Sequence, residues 1–327
     1  MTRSKWLVLI LNLALLSILT GACSSEAPAL MNPRSSPARE IASLGRIFFI
    51  LGGLIFLLVM AFLVYALRGQ REQLRSRFAG TQVVIWGGMI VPGLILLVLF
   101  VLNTNVLGRV SAPPDCAASL TVEVTGNQWW WEVKYPDYGV VTANEIYIPV
   151  GEPVLLKLSS EDVIHSFWAP ELHGKMDLVP GRVNDFWIEA DEPGEYLGEC
   201  AEYCGTQHAK MRFLVIAVSR EEFEAWLERM ARPARASGMP GEAVFLSASC
   251  VQCHTVAGTD ASGQLGPDLT HLASRRTIGA GSLPLNRENL GSWVANPQHT
   301  KPGALMPPAS LEGEDLQLLI DYLLTLE

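Results

Sequence analysis

Cys200-Ala-Glu-Tyr-Cys204-Gly-Thr-Gln-His208-Ala-Lys-Met211 places two thiols, an imidazole and a thioether at offsets of 0, 4, 8 and 11. On a helix those offsets share one face. Strand-like Glu195-Tyr-Leu-Gly198 and Met211-Arg-Phe-Leu-Val215 flank the stretch, however, and Gly205 interrupts it, so it reads as a loop joining two strands. Thiolate, imidazole and thioether are soft or borderline donors, the set expected for copper and not for magnesium or calcium, and zinc has little use for Met211. One more histidine is wanted. His165, behind Asp-Val-Ile in a turn between apolar runs, is available.

Outward from the loop, residues 119–218 keep strand character. Leu120-Thr-Val-Glu-Val-Thr125, Val154-Leu-Leu-Lys-Leu158, Phe186-Trp-Ile188 and Met211–Val218 are β-branched or apolar runs, separated by turns such as Tyr135-Pro-Asp-Tyr-Gly139 and Val179-Pro-Gly181. Several short strands over this length predict an antiparallel sandwich. A helix is expected over Ser219–Met230, where Ser219 and Glu222 form a capping box and Phe223, Trp226, Leu227 and Met230 share a face. Arg232-Pro-Ala-Arg-Ala-Ser-Gly238 then reads as a linker. The remainder carries no convincing strand, an early helix around Gly241–Ser249 and a terminal amphipathic helix near Glu312–Leu326.

That last part contains Cys250-Val-Gln-Cys253-His254, in which two thiols can add to the vinyl groups of a haem while the next residue reaches the iron. Zinc would want a second cysteine pair and a thioredoxin-like pair would want a βαβ unit; neither follows. For the sixth iron position Met306, presented by Leu305-Met-Pro-Pro308, is the first candidate, with His271 and His299 as rivals. Gly266-Pro-Asp-Leu269 and Trp293 resemble haem-packing elements of class I cytochromes c.

Of 327 residues 49% are hydrophobic and 17% charged, and the apolar excess sits in three N-terminal segments. Trp6–Thr20 follows Arg3 and Lys5 and runs into Leu19-Thr-Gly-Ala-Cys23. It reads as a signal peptide ending before a cysteine that resembles a lipoprotein site, with Thr20 a mild departure. The other two, about 45–67 and 83–107, are long enough to span a bilayer. The loop between them holds Arg68, Arg71, Arg75 and Arg77 against Glu72, which places it in the cytoplasm and exports everything after about Gly108. Cys116 reads as an inert thiol. Residues 1–110 carry 10 Lys+Arg against 3 Asp+Glu and residues 111–327 carry 14 against 30. So acidic a soluble part argues against nucleic acid as a partner.

His165-Ser-Phe-Trp168, the cysteine loop, the Gln128-Trp-Trp-Trp131 run and the two spans together resemble subunit II of cytochrome c oxidase, in its caa3-type form fused to a C-terminal cytochrome c. The resemblance implies a multidomain membrane protein: a signal peptide at 1–22, a transmembrane helical hairpin at 40–110, an all-β cupredoxin-like domain at 111–231, a linker at 232–239 and an all-α class I cytochrome c domain at 240–327. It also implies a binuclear, mixed-valence CuA centre with Cys200 and Cys204 bridging, His165 and His208 terminal, Met211 a weak ligand and Glu202 giving its carbonyl. Trp129 would be the electron-entry aromatic, and Glu202 would reach a magnesium shared with subunit I. Asp177 and Arg182 would lie at the subunit I interface.

On that reading the chain would lie in a bacterial inner membrane with both soluble domains outside. Electrons would pass from a cytochrome c or a quinol–cytochrome c reductase through haem c and CuA to subunit I, where oxygen is reduced. Many family members have a glutamate at the mouth of a proton channel where this chain offers Gln82, so a proton entrance here is not implied. The same module could serve a nitric oxide reductase, or act as a tethered carrier without a catalytic partner. Two shared thiolates spread one electron over two metals, so bonds change little and transfer is fast.

Overall fold

The structure, a computed structural model, describes residues 29–67, 80–111, 120–233 and 238–327. The signal peptide, Cys23, the arginine loop, Cys116 and the middle of the linker lie outside the described residues. Two long apolar helices come first, α1 (Ser36–Leu67) and α2 (Thr81–Val110), each long and apolar enough to cross a membrane. A π-helical turn, Trp86–Ile90, lies within α2. Helix α1 begins well before the apolar run because its first turns rest on protein: Ser35, Ala38 and Ala42 are buried, the Arg34 N–H donates to the Glu171 carbonyl, and the Asp191 N–H donates to that of Arg34.

Ten strands then form the sandwich: β1 (Leu120–Asn127), β2 (Trp130–Tyr135), β3 (Val140–Ala143), β4 (Glu145–Pro149), β5 (Val154–Ser160), β6 (His165–Trp168), β7 (Met176–Leu178), β8 (Asn184–Ile188), β9 (Gly194–Cys200) and β10 (Arg212–Val218). One sheet runs β3-β2-β1-β5-β8 and the other β4-β10-β9-β6-β7. Most neighbours are antiparallel, as the short alternating runs predict, but β1 with β5 and β4 with β10 are parallel. The chain visits other strands before it returns to each of those pairs, and such a crossover lets it come back in the same direction. Alternate residues of β1 and β5 are buried, so Val122, Val124, Leu156 and Leu158 meet Trp131, Phe167 and Phe213 in one core. Trp131 makes edge contacts to Phe167 and Phe213 at 6.2 and 5.3 Å.

Helix α3 (Arg220–Met230) closes one end of the sandwich. The expected capping box is present, with Ser219 accepting from the Glu222 N–H and Glu222 accepting from that of Ser219. Trp226 stacks on Tyr147 at 4.4 Å. Elsewhere on the sandwich the last carbonyl of α2 is captured. The Trp187 Nε1–H donates to the Val110 oxygen at 3.0 Å, and the His173 Nε2–H donates to the same oxygen at 3.2 Å. Gly174 N–H in turn donates to His173 Nδ1 at 2.7 Å.

The C-terminal part contains α4 (Pro240–Ser247), a two-residue hairpin of β11 (Thr277–Ile278) and β12 (Leu283–Pro284), α5 (Arg287–Ala295), the short α6 (Pro297–Thr300) and α7 (Gly313–Leu323). The hairpin is too short for any periodicity to announce. Helices α4 and α7 cross at Gly241, where a Cβ would stand 2.0 Å from the Leu318 carbonyl oxygen, so only glycine permits the approach.

Two outcomes follow from this packing. Gly241→Ala lowers the stability of the C-terminal part by about 1–3 kcal/mol through overpacking, read from its own unfolding transition while that of the sandwich stays put. Burial lowers the His173 pKa to about 4 from the usual 6.5, so the folded state refuses a proton that the unfolded state accepts. Stability of the sandwich therefore falls as pH drops from about 6.5 toward 4, by up to about 3 kcal/mol. His173→Gln flattens that slope in thermal melts of the full chain in detergent.

Candidate metal and haem sites

The ligand loop begins where β9 ends and closes where β10 begins. Cys200 is the last residue of β9, a 3-10 turn covers His208–Lys210, and Met211 stands just before β10. The Cys200 N–H donates to the Met211 carbonyl at 3.0 Å, which joins the two ends. His165 opens β6, the strand next to β9. The loop reading holds, and the helical alternative does not.

Five side chains, those of His165, Cys200, Cys204, His208 and Met211, thus converge. Cys200 Sγ lies 3.9 Å from His165 Nδ1 and 3.7 Å from Cys204 Sγ. Cys204 Sγ lies 3.6 Å from His208 Nδ1 and 3.8 Å from Met211 Sδ. Cys200 Sγ is also 3.2 Å from the Glu202 carbonyl oxygen. His165 and Met211 are fully buried and both cysteines nearly so. At 3.7 Å the sulfurs are far outside disulfide range. Each has its own imidazole, an arrangement that suits soft metal held between the sulfurs better than it suits a single tetrahedral zinc.

The electrostatics agree. The neighbouring Cys204, opposed by burial and helped by His165, draws the Cys200 thiol down to about 3. Cys200 and burial push Cys204 well above the usual thiol range, so the pair keeps one proton until metal displaces it. Burial alone would lower the pKa of His165, but its hydrogen bonds to Cys200 and Asp162 outweigh that and raise it.

Asp162 was legible only as part of a turn, yet it organises the site. His165 Nε2–H donates to Asp162 Oδ1 at 2.8 Å, leaving Nδ1 for the sulfur side, while the Gln128 N–H donates to Asp162 Oδ2 at 2.7 Å. Such a carboxylate fixes the tautomer and ring angle of a metal-binding histidine. Trp129 lies over the loop: its Nε1–H donates to the Cys204 carbonyl at 3.0 Å, and Gln128 Nε2–H donates to the same oxygen at 2.8 Å. Trp131, by contrast, is fully buried core.

Lys175 connects two of the expected interface residues, reaching Asp177 at 3.4 Å and Glu202 at 3.3 Å. Arg182 is exposed, with its N–H donating to the Val179 carbonyl. Tyr203, next to Glu202, and Val183, next to Arg182, are exposed as well.

In the C-terminal part Cys250 and Cys253 are free, half-buried thiols. His254 Nδ1–H donates to the Pro267 carbonyl at 2.7 Å, and burial lowers the histidine's pKa. The ring is therefore neutral, with Nε2 available to a metal. Met306 is half-buried, and its carbonyl accepts from Gln298 Nε2–H at 3.2 Å. Leu265 and Leu305 are large and apolar yet 80% and 72% exposed, which suits walls for a flat apolar group. Of the rivals, His271 spends Nε2–H on the Met230 and Arg232 carbonyls, and His299 is exposed on α6.

These features define a class: a protein with an apolar helix pair, a cupredoxin-like sandwich bearing a soft-metal loop, and a helical cytochrome c domain. Residues 140–218 match the model of the cytochrome c oxidase subunit II periplasmic domain, and residues 239–327 match that of cytochrome c. The chain is 35% identical to cytochrome c oxidase subunit 2 of Alkalihalophilus pseudofirmus over 323 residues, 94% of either chain. With cytochrome c oxidase subunit 2 of Bacillus subtilis it shares 31% identity over 96% of either chain. The chain belongs to the cytochrome c oxidase subunit 2 family.

With copper in the loop, Asp162→Ala weakens its retention about 10–100-fold, measured by competition with a chelator of known copper affinity, while the unfolding midpoint of the sandwich changes little.

Proposed function

We propose that this chain is the electron-entry subunit of a haem-copper terminal oxidase, taking electrons at its C-terminal domain and delivering them through the sandwich to subunit I. The observation that carries this reading is the pair of buried sulfurs 3.7 Å apart, each with its own histidine, in a chain that also holds Cys250-Val-Gln-Cys253-His254. A binuclear copper centre between Cys200 and Cys204 and a covalent haem c on Cys250 and Cys253 would supply one-electron chemistry with little reorganisation. His165 and His208 would each end one side of the centre, Met211 and the Glu202 carbonyl would complete it, and His254 and Met306 would hold the haem iron.

The protein's own contribution is preorganisation. Asp162 orients His165, the Cys204 carbonyl is pinned by Trp129 and Gln128, and Trp129 covers the loop as the entry aromatic. Helices α1 and α2 would span the bacterial inner membrane and leave both soluble domains outside. Lys175, Asp177, Glu202 and exposed Arg182 offer a charged face for subunit I, where Glu202 would reach a shared magnesium. A cytochrome c or a quinol–cytochrome c reductase would be the donor.

Oxidised and reduced visible to near-infrared spectra of the full chain, with metal quantitation, test this reading. We expect two coppers and one haem per chain, with a near-infrared band that disappears on reduction. Zinc in the loop, or one copper without that band, would overturn the copper assignment.

A further inference from the structure

The C-terminal domain is not merely tethered to the sandwich. Lys301, just after α6, is 3% exposed, and its ammonium donates to the Trp129 carbonyl at 2.9 Å and to the Gly279 carbonyl at 3.1 Å. One acceptor belongs to the sandwich and the other to the C-terminal domain. Among the described residues Lys301 makes no ion pair, and burial, with Lys210 nearby, lowers its pKa to about 7. A buried lysine satisfied only by carbonyls is costly. Such a group contributes register more than affinity.

The surrounding contacts share that character. Gln207 Nε2–H donates to the Pro302 carbonyl and Lys210 Nζ–H to the Thr300 carbonyl, so the segment before Met306 lies on the turn that carries His208. In the same segment that offers the Gly279 carbonyl, the Arg276 and Thr277 N–H groups donate to Glu145 of β4, 2% exposed, at 2.7 and 3.0 Å. The Arg212 N–H donates to the Ala280 carbonyl at 3.1 Å. Gly281, at φ +71°, lies where a Cβ would meet that of Arg212 at 2.8 Å. Backbone thus meets backbone directly behind Met211.

We propose that Lys301 is a positioning residue for electron transfer between the two domains: by donating to one carbonyl of each, it fixes the Met306 loop against Trp129 and the Cys204–Lys210 turn. The electron-transfer part rests on the reading of the two domains as copper and haem carriers; the docking part does not. Transfer by tunnelling is steep in distance, so a domain held in one pose transfers at one fast rate, whereas a loosened one samples longer gaps. Glu145 is the second anchor of the same pose.

The test compares the full chain with Lys301→Met, Lys301→Gln and Glu145→Gln, each checked for unchanged visible spectra. Hydrogen exchange is read on segments 128–131, 204–210, 276–282 and 298–304, and haem-to-copper transfer is followed after rapid reduction. We expect these segments to be protected in the wild type and to lose protection in the Lys301 variants. Transfer should slow at least about tenfold, the scale of loss that a small misplacement produces. Unprotected segments in the wild type would overturn docking even if every variant failed to fold. Protection and rate both unchanged in the Lys301 variants, or either one changed without the other, would overturn the positioning role. A chain without haem or copper would fail the proposed function, while the exchange result would still decide docking.

Discussion

One hydrogen bond, from the Cys200 N–H to the Met211 carbonyl, closes the ligand loop at its base, and the rest of the site depends on that closure. It extends the β9–β10 ladder by one step past its last strand pair, Arg212 with Glu199. The ten intervening residues must then arch back over the sandwich edge. An arch anchored at both ends can hold two sulfurs apart without a covalent bond between them, because the backbone and not the sulfurs sets their spacing. The sheet therefore acts as the rigid element on which a metal site keeps its geometry through a change of charge.

The same edge explains how the domains are joined. Trp129 and Gln128 hold the Cys204 carbonyl from one flank, and Asp162 ties Gln128 to His165. Lys301 then grips the Trp129 carbonyl from the C-terminal domain. A chain of polar contacts runs from one candidate redox site to the flank of the other, each bond made to backbone or to a charged group. Bonds to charged groups are the stronger class in a dry interior. The helix pair is coupled to the same sandwich through the Val110 carbonyl, held by Trp187 and His173.

Much was legible beforehand because local chemistry spoke without neighbours. The alternating runs of β1 and β5 announced strands, Ser219 and Glu222 announced the start of α3, and Cys250-Val-Gln-Cys253-His254 announced a haem. Gly205 and the flanking strands decided loop over helix for the cysteine stretch. The parallel pairings β1–β5 and β4–β10 were not legible, since a strand's own pattern records burial and not the direction of its neighbour. Asp162 looked like a turn residue because its partners, the Gln128 N–H and the His165 ring, reach it from across the fold. Nothing in the local sequence marks Glu145 or Lys301, whose partners also come from distant segments.

The sequence by itself determined the donor chemistry and its grouping: two thiols, two imidazoles and a thioether for one site, Cys-x-x-Cys-His for the other, and, among three apolar N-terminal stretches, two long enough to span a bilayer. Residue type and spacing suffice for that, because ligand softness and hydrophobic length are properties of the side chains alone. Only the tertiary structure decided that each sulfur has its own histidine, that Asp162 binds Nε2 of His165 and leaves Nδ1 toward the sulfur, and that a buried lysine donates to one carbonyl of each domain. Those facts depend on distances between atoms far apart along the chain, and such distances exist only once the sheets have packed.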